Sequence, residues 1–192
     1  SIKLYDWLNG GMPEHWWYTS IVGARSGDCN KVEKIQNKPD TKKLRAIKIK
    51  EANETFLNGG WSYVFDRTTY HNAKCNCIEC QFLEFVRSDD MLDFVRSVTK
   101  IDVQKLAHAF SSRYLANFFL SPHPDRKQGK IGFVYSLSKD WRPEWGGNLH
   151  FMDEDYRTVT RTVVPVFNKL TLFDIPARGG VPHYVSHVVP TV

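Results

Sequence analysis

The sequence has no apolar run near the ~18 residues that a membrane span needs, and residues 1–11 have neither a basic head nor an apolar signal core. Nothing in it marks export or insertion. Only 4 cysteines occur in 192 residues, too few for a disulfide scaffold, and no repeat, low-complexity tract or linker divides the chain. A reducing, cytoplasmic setting is expected. What is present is 42% hydrophobic, 24% charged and 14% aromatic residues, the composition of one folded domain rather than a disordered or coiled-coil chain. Residues 1–192 are read as that domain, with 1–100 as helical and strand support and 101–192 as a β core.

The net charge of +5 is local. Between Lys31 and Lys50 there are eight basic residues against Glu33 and Asp40, so the remainder is close to neutral. A basic strip on a neutral chain reads as a lysine-protected edge and loop, not as a nucleic-acid face. Three cysteines crowd into Cys75-Asn-Cys77-Ile-Glu-Cys80, too close in sequence for comfortable disulfides. With His71 four residues ahead they offer four donors of the kind a structural zinc takes. The alternatives are free thiols at a helix start and Cys29 as a competing donor.

A short helix is expected over residues 3–9, ending at Gly10-Gly11. Residues 44–50 partly alternate and read as a strand with one wet face, as do residues 61–65 after the Asn58-Gly59-Gly60 turn. Between Cys77 and Val98, apolar residues recur at three- and four-residue steps, which predicts one or two helices broken near Ser88, an N-cap residue. Strand-like runs follow over 103–119, 131–138, 148–152, 158–164, 170–174 and 184–189. The fold class is therefore α+β, an antiparallel sandwich or barrel with the helices packed outside it.

His123 and Asp125 are two apart, so in extended chain both side chains leave one face and can converge on an ion, with Pro122 and Pro124 stiffening the geometry. Two neutral imidazoles and one carboxylate make the facial triad of non-haem Fe(II) oxygenases, which leaves coordination positions open. Either His183 or His187 could supply the second imidazole from another strand.

Four ordered blocks carry a resemblance: Ser121-Pro-His-Pro-Asp-Arg126, then residues 133–151 (Phe133 to Phe151), then Pro165 to Asp174, then Pro182-His-Tyr-Val-Ser-His-Val-Val-Pro190. Together they resemble the prolyl 4-hydroxylase-like branch of the 2-oxoglutarate/Fe(II) oxygenases from about Arg113 to Pro190, with weaker similarity at Met12 to Trp17. The resemblance implies a double-stranded β-helix, the cupin-like jelly roll, with helices buttressing one sheet. It assigns His123, Asp125 and His183 to the iron, and leaves His187 and His150 as packed or substrate-side residues. Ser136 occupies a cosubstrate position more readily than its neighbour Tyr135, and Tyr114 and Arg113 are further cosubstrate candidates. The implied cofactors are Fe(II), 2-oxoglutarate and O2, with ascorbate as reductant. The implied partner is a peptide or protein bearing a target proline; a free amino acid, a lysyl side chain or nucleic acid are other substrates, and a catalytically silent binding module is the alternative function.

The far carboxylate of 2-oxoglutarate needs a cation. The family supplies it about ten residues after the third ligand, whereas this sequence stops at Val192. The chain therefore reads as lacking a short C-terminal segment, with Arg126, Lys130 or Lys169 as substitutes.

Overall fold

The structure, a computed structural model, describes residues 1–23, 31–68, 75–125, 128–176 and 180–190. The elements run in the order α1 (Ile2–Asp6), β1 (Trp17–Val22), β2 (Glu33–Gln36), α2 (Lys42–Leu57), β3 (Tyr63–Thr68), α3 (Ile78–Arg87) and α4 (Asp89–Thr99). Then come β4 (Ser112–Arg113), β5 (Phe119–His123), β6 (Ile131–Ser136), β7 (Leu149–Met152), β8 (Val159–Val163), β9 (Lys169–Asp174) and β10 (His183–Val185). Every strand pairing is antiparallel. One large sheet has the order β2-β1-β3-β5-β10-β7-β8 with β4 on β3, and β6 and β9 form a second sheet. Phe173 of β9 meets Phe151 of β7 and His183 of β10, with ring centroids 5.2 and 5.1 Å apart, so the second sheet faces the C-terminal half of the first. This is the two-sheet, all-antiparallel jelly-roll arrangement with added helices.

The strand expected over residues 44–50 is instead part of α2. Its apparent alternation is too short to set a period, whereas Ile49, Ala52 and Phe56 recur at helical steps and pack with Ile21, Ile35, Val64, Phe118 and Phe119. The same basic residues then serve the helix: Lys48 pairs with Glu51 at 3.1 Å and with Glu33 of β2 at 3.3 Å. Arg45 reaches the fully buried Asp66. The basic strip is thus divided between an edge strand and a helix that covers the large sheet.

The helix break near Ser88 is present. Its hydroxyl accepts from Met91 N at 3.3 Å and caps α4, whose first turn carries Asp89 and Asp90. These two helices lie against the other sheet, where Phe82 of α3 stacks on Tyr135 of β6 with centroids 5.3 Å apart. The helices therefore serve both sheets.

The run expected over 103–119 yields only β4 and the first residue of β5. One edge of β3 is shared: Asp66 and Arg67 pair with β4, while Tyr63 and Val64 pair with β5. Thr68 N donates to Ser111 O just before β4, and Asn117, at φ 67°, turns the chain between the two short strands.

Candidate metal centre and cosubstrate site

The last strand is held in place by a backbone approach that only glycine allows. Gly146 has φ 74°, and a Cβ there would stand 1.8 Å from the His187 carbonyl oxygen. Gly147 N donates to Ser186 O and Val189 N to Trp145 O, closing the loop after β10 onto the turn before β7. His183 is then paired with His123 on one side and Phe151 on the other.

Cross-strand partners share a face, so the register locates the site. Tyr63 pairs with Leu120, Leu120 with Val185, and Val185 lies two residues from His183. These side chains face the second sheet, and a register shift between β5 and β10 brings His123 to the same side. The opposite face of the sheet belongs to α2, and His187 goes there. It stacks on Phe119 with centroids 4.0 Å apart and meets Phe56 at 4.6 Å. The strand expected over 184–189 ends at Val185, so His187 does not keep the alternation that would have put it on the face of His183. His150 is likewise turned outward, stacked on Tyr184 and hydrogen-bonded through Nδ1 to Thr162 Oγ1.

His123, Asp125 and His183 converge, with one donor atom of each lying within 4.8 Å of the others. Asp125 Oδ1 is 3.3 Å from His123 Nε2, and Oδ2 is 3.4 Å from His183 Nε2. The far ring nitrogens fix the tautomers: His123 Nδ1 is 3.0 Å from Ser121 O and His183 Nδ1 is 2.8 Å from Val181 O. A carbonyl only accepts, so Nδ1 is the donor in each ring and Nε2 is the atom turned toward the carboxylate. Two imidazole nitrogens and a carboxylate converging at this distance make a donor set that suits iron. Burial pushes the Asp125 carboxyl up, but its hydrogen bonds to His123 and His183 and their charge outweigh that and hold it well below the usual carboxylate range. The residues present fit the implied metal.

The other expected site residues separate. Ser136 is buried, and through its pairing with Lys169 it lies on the face that Phe173 presents to His183. Tyr135, one residue earlier, points the other way and donates to Asn168 Oδ1. Lys130 is drawn off by the carbonyl of Asp102, 2.7 Å from its Nζ. Tyr114 stacks on Phe65 with centroids 5.6 Å apart, and its burial pushes the hydroxyl pKa up. Arg113 is bound to Asp66 at 2.9 Å and to Glu14 at 2.7 Å. Arg126 and His71 lie outside the described residues, as does Cys29.

Two features went unread in the sequence. Trp61, Tyr63 and Phe65 form an aromatic row on the triad's side of the large sheet, at centroid spacings of 5.5 and 5.3 Å. Trp61 starts it beside the triad, donating from Nε1 to Pro122 O at 3.1 Å. Period-two spacing is visible over 61–65, but only the sheet order shows which face it lines. A cavity of about 530 Å³ also opens beside Phe151 and Phe173, with Lys169 and Arg161 on its wall.

Comparison with known families matches residues 109–191 to the 2OG-Fe(II) oxygenase superfamily. Curated proteins give no match. Among solved structures, the chain is similar to a Pseudomonas putida prolyl-4-hydroxylase at 15% identity and TM-score 0.49, over 98% of this chain and 92% of that one. Among the described residues no helix is long and apolar enough to cross a membrane. The matched stretch, residues 109–191, contains His123, Asp125 and His183, and it is there that the chain is similar to the 2OG-Fe(II) oxygenase superfamily.

Proposed function

We propose that the protein is a 2-oxoglutarate-dependent hydroxylase of prolyl residues in a peptide or protein. The observation that carries the reading is the convergence of His123, Asp125 and His183, with both imidazoles held by backbone carbonyls so that their Nε2 atoms face one point. Iron with 2-oxoglutarate supplies oxidative decarboxylation of the cosubstrate coupled to hydroxylation of a C–H bond, giving succinate and CO2. The protein's contribution is geometric and electrostatic. Ser121 O and Val181 O orient the rings, Asp125 sets the charge of the site, and Phe151 and Phe173 exclude water from the side of His183.

Lys169 is the residue we assign to the distal carboxylate of 2-oxoglutarate. It lies opposite Ser136 on the triad's face, borders the cavity and has no ion-pair partner among the described residues. The aromatic row from Trp61 to Phe65 supports the prolyl reading. Flat rings beside a reactive centre suit an apolar ring on an extended peptide, as in other grooves that bind proline-rich segments. Trp61, partly exposed and tied to Pro122, is the residue best placed to touch the peptide.

The test is mass spectrometry of proline-containing peptides incubated with the protein, Fe(II), 2-oxoglutarate and ascorbate. One added oxygen on proline, absent with His123→Ala, is the expected result. Oxygen on lysine or on a free amino acid would keep the hydroxylase and overturn its prolyl substrate.

A further inference from the structure

Outside the triad, the described cysteines gather in one place. Cys75, Cys77 and Cys80 bring their Sγ atoms within 4.8 Å of one another, and none is in a disulfide. The backbone explains why. Cys77 is the N-cap of α3, extended at φ −76° and ψ 164°, and its Sγ accepts from Cys80 N at 3.5 Å. That is half of a capping box, the geometry in which the N-cap and third helical side chains lean over each other. Cys75, two residues earlier on the entering chain, completes the group.

We propose that Cys75, Cys77 and Cys80 form a second metal centre in this chain, one that takes zinc through three thiolates and leaves its fourth position to a lighter donor. Zinc–sulfur bonds of about 2.3 Å place tetrahedral sulfurs about 3.8 Å apart, so the three thiols need to draw in by no more than about an ångström. Three thiolates this close need a positive charge among them, and a divalent ion displaces all three protons.

The centre has a structural consequence. Thr68 Oγ1, at the end of β3, donates to Glu79 Oε1 in the first turn of α3 at 2.8 Å. A metal here fastens the start of α3 beside the end of β3, and α3 carries the Phe82 ring that stacks on β6. The zinc would then steady the outer face of the sheet whose inner face meets His183.

The experiment is metal analysis of the full chain, purified under reducing conditions, loaded with zinc and dialysed. Wild type and His123→Ala should each retain about one zinc that Cys77→Ser and Cys75→Ser lose. The Cys75 variant leaves the helix cap intact, so its loss of zinc at unchanged far-UV circular dichroism separates ligation from misfolding. X-ray absorption at the zinc edge should show three sulfurs and one nitrogen or oxygen. No retained zinc in wild type or His123→Ala, retention in the folded Cys75 variant, a shell without sulfur, or a disulfide within the cluster would each overturn the proposal.

Discussion

Gly132→Ala tests how the two sheets meet at the metal centre. A Cβ at position 132 would stand 2.2 to 2.7 Å from three carbons of the Phe173 ring, which lies across the glycine. The ring has little room to retreat, because Phe151 and His183 flank it at centroid distances of 5.2 and 5.1 Å. Inserting one methyl into such packing costs about 1–3 kcal/mol. For a chain of this length that corresponds to a fall in Tm of about 2–12 °C. The displaced ring presses on His183, the third ligand of the proposed iron site, so affinity for Fe(II) should fall as well. Thermal denaturation followed by circular dichroism reads the first effect and Fe(II) titration the second. Replacing Phe173 with Leu in the Gly132→Ala background should recover part of both, because the two sites share one contact and their effects should not add. A Gly132→Ala protein with wild-type Tm and wild-type iron affinity would refute this account of the sheet contact.

Asp66 is fully buried and accepts from Thr19, Asn37, Arg45 and Arg113, so Arg113→Ala should destabilise the protein by about 3 kcal/mol, measured in urea. Asp66→Asn, which removes the charge itself, should cost less. Burial lowers the pKa of His187, so the unfolded chain binds more protons than the folded one as pH falls through the ordinary value of 6.5. Stability from this residue is full above that pH and is lost below it. Tm should therefore drop between pH 7.5 and 5.5 more in wild type than in His187→Phe, and equal slopes would exclude the effect. Lys169→Ala should raise the KM for 2-oxoglutarate by about tenfold at unchanged Tm, the loss of one charge-assisted contact. Trp61→Ala should raise the KM for a peptide substrate while leaving peptide-independent 2-oxoglutarate turnover unchanged.

The pair His123 and Asp125 was legible because it sits on one short extended stretch, whereas spacing alone left His183 and His187 open and only the family resemblance favoured His183, the one that converges with the pair. Which of the neighbours served the site was not legible in the same way. Tyr135 and Ser136 must face opposite ways on a strand, yet only the register with β9 shows that Ser136 shares a face with Phe173. Residues 44–50 were misread because seven residues hold too few turns to separate a period of two from one of 3.6; the buried stripe of α2 begins at Ile49 and runs past that window. The aromatic row at Trp61, Tyr63 and Phe65 alternates plainly, but its role depends on β3 lying next to β5, a long-range fact of sheet order. His187 stands only four residues beyond His183, and the end of β10 between them is what sends it to the other face.

Succinate formation from 2-oxoglutarate by the full chain, measured with and without Fe(II), tests the central claim most directly. The account predicts iron-dependent succinate in wild type, none above background in His123→Ala, Asp125→Ala or His183→Ala, and normal folding in all three by circular dichroism. Iron-dependent succinate that survives loss of any one of these ligands, or no succinate from folded, iron-loaded wild type, would contradict it.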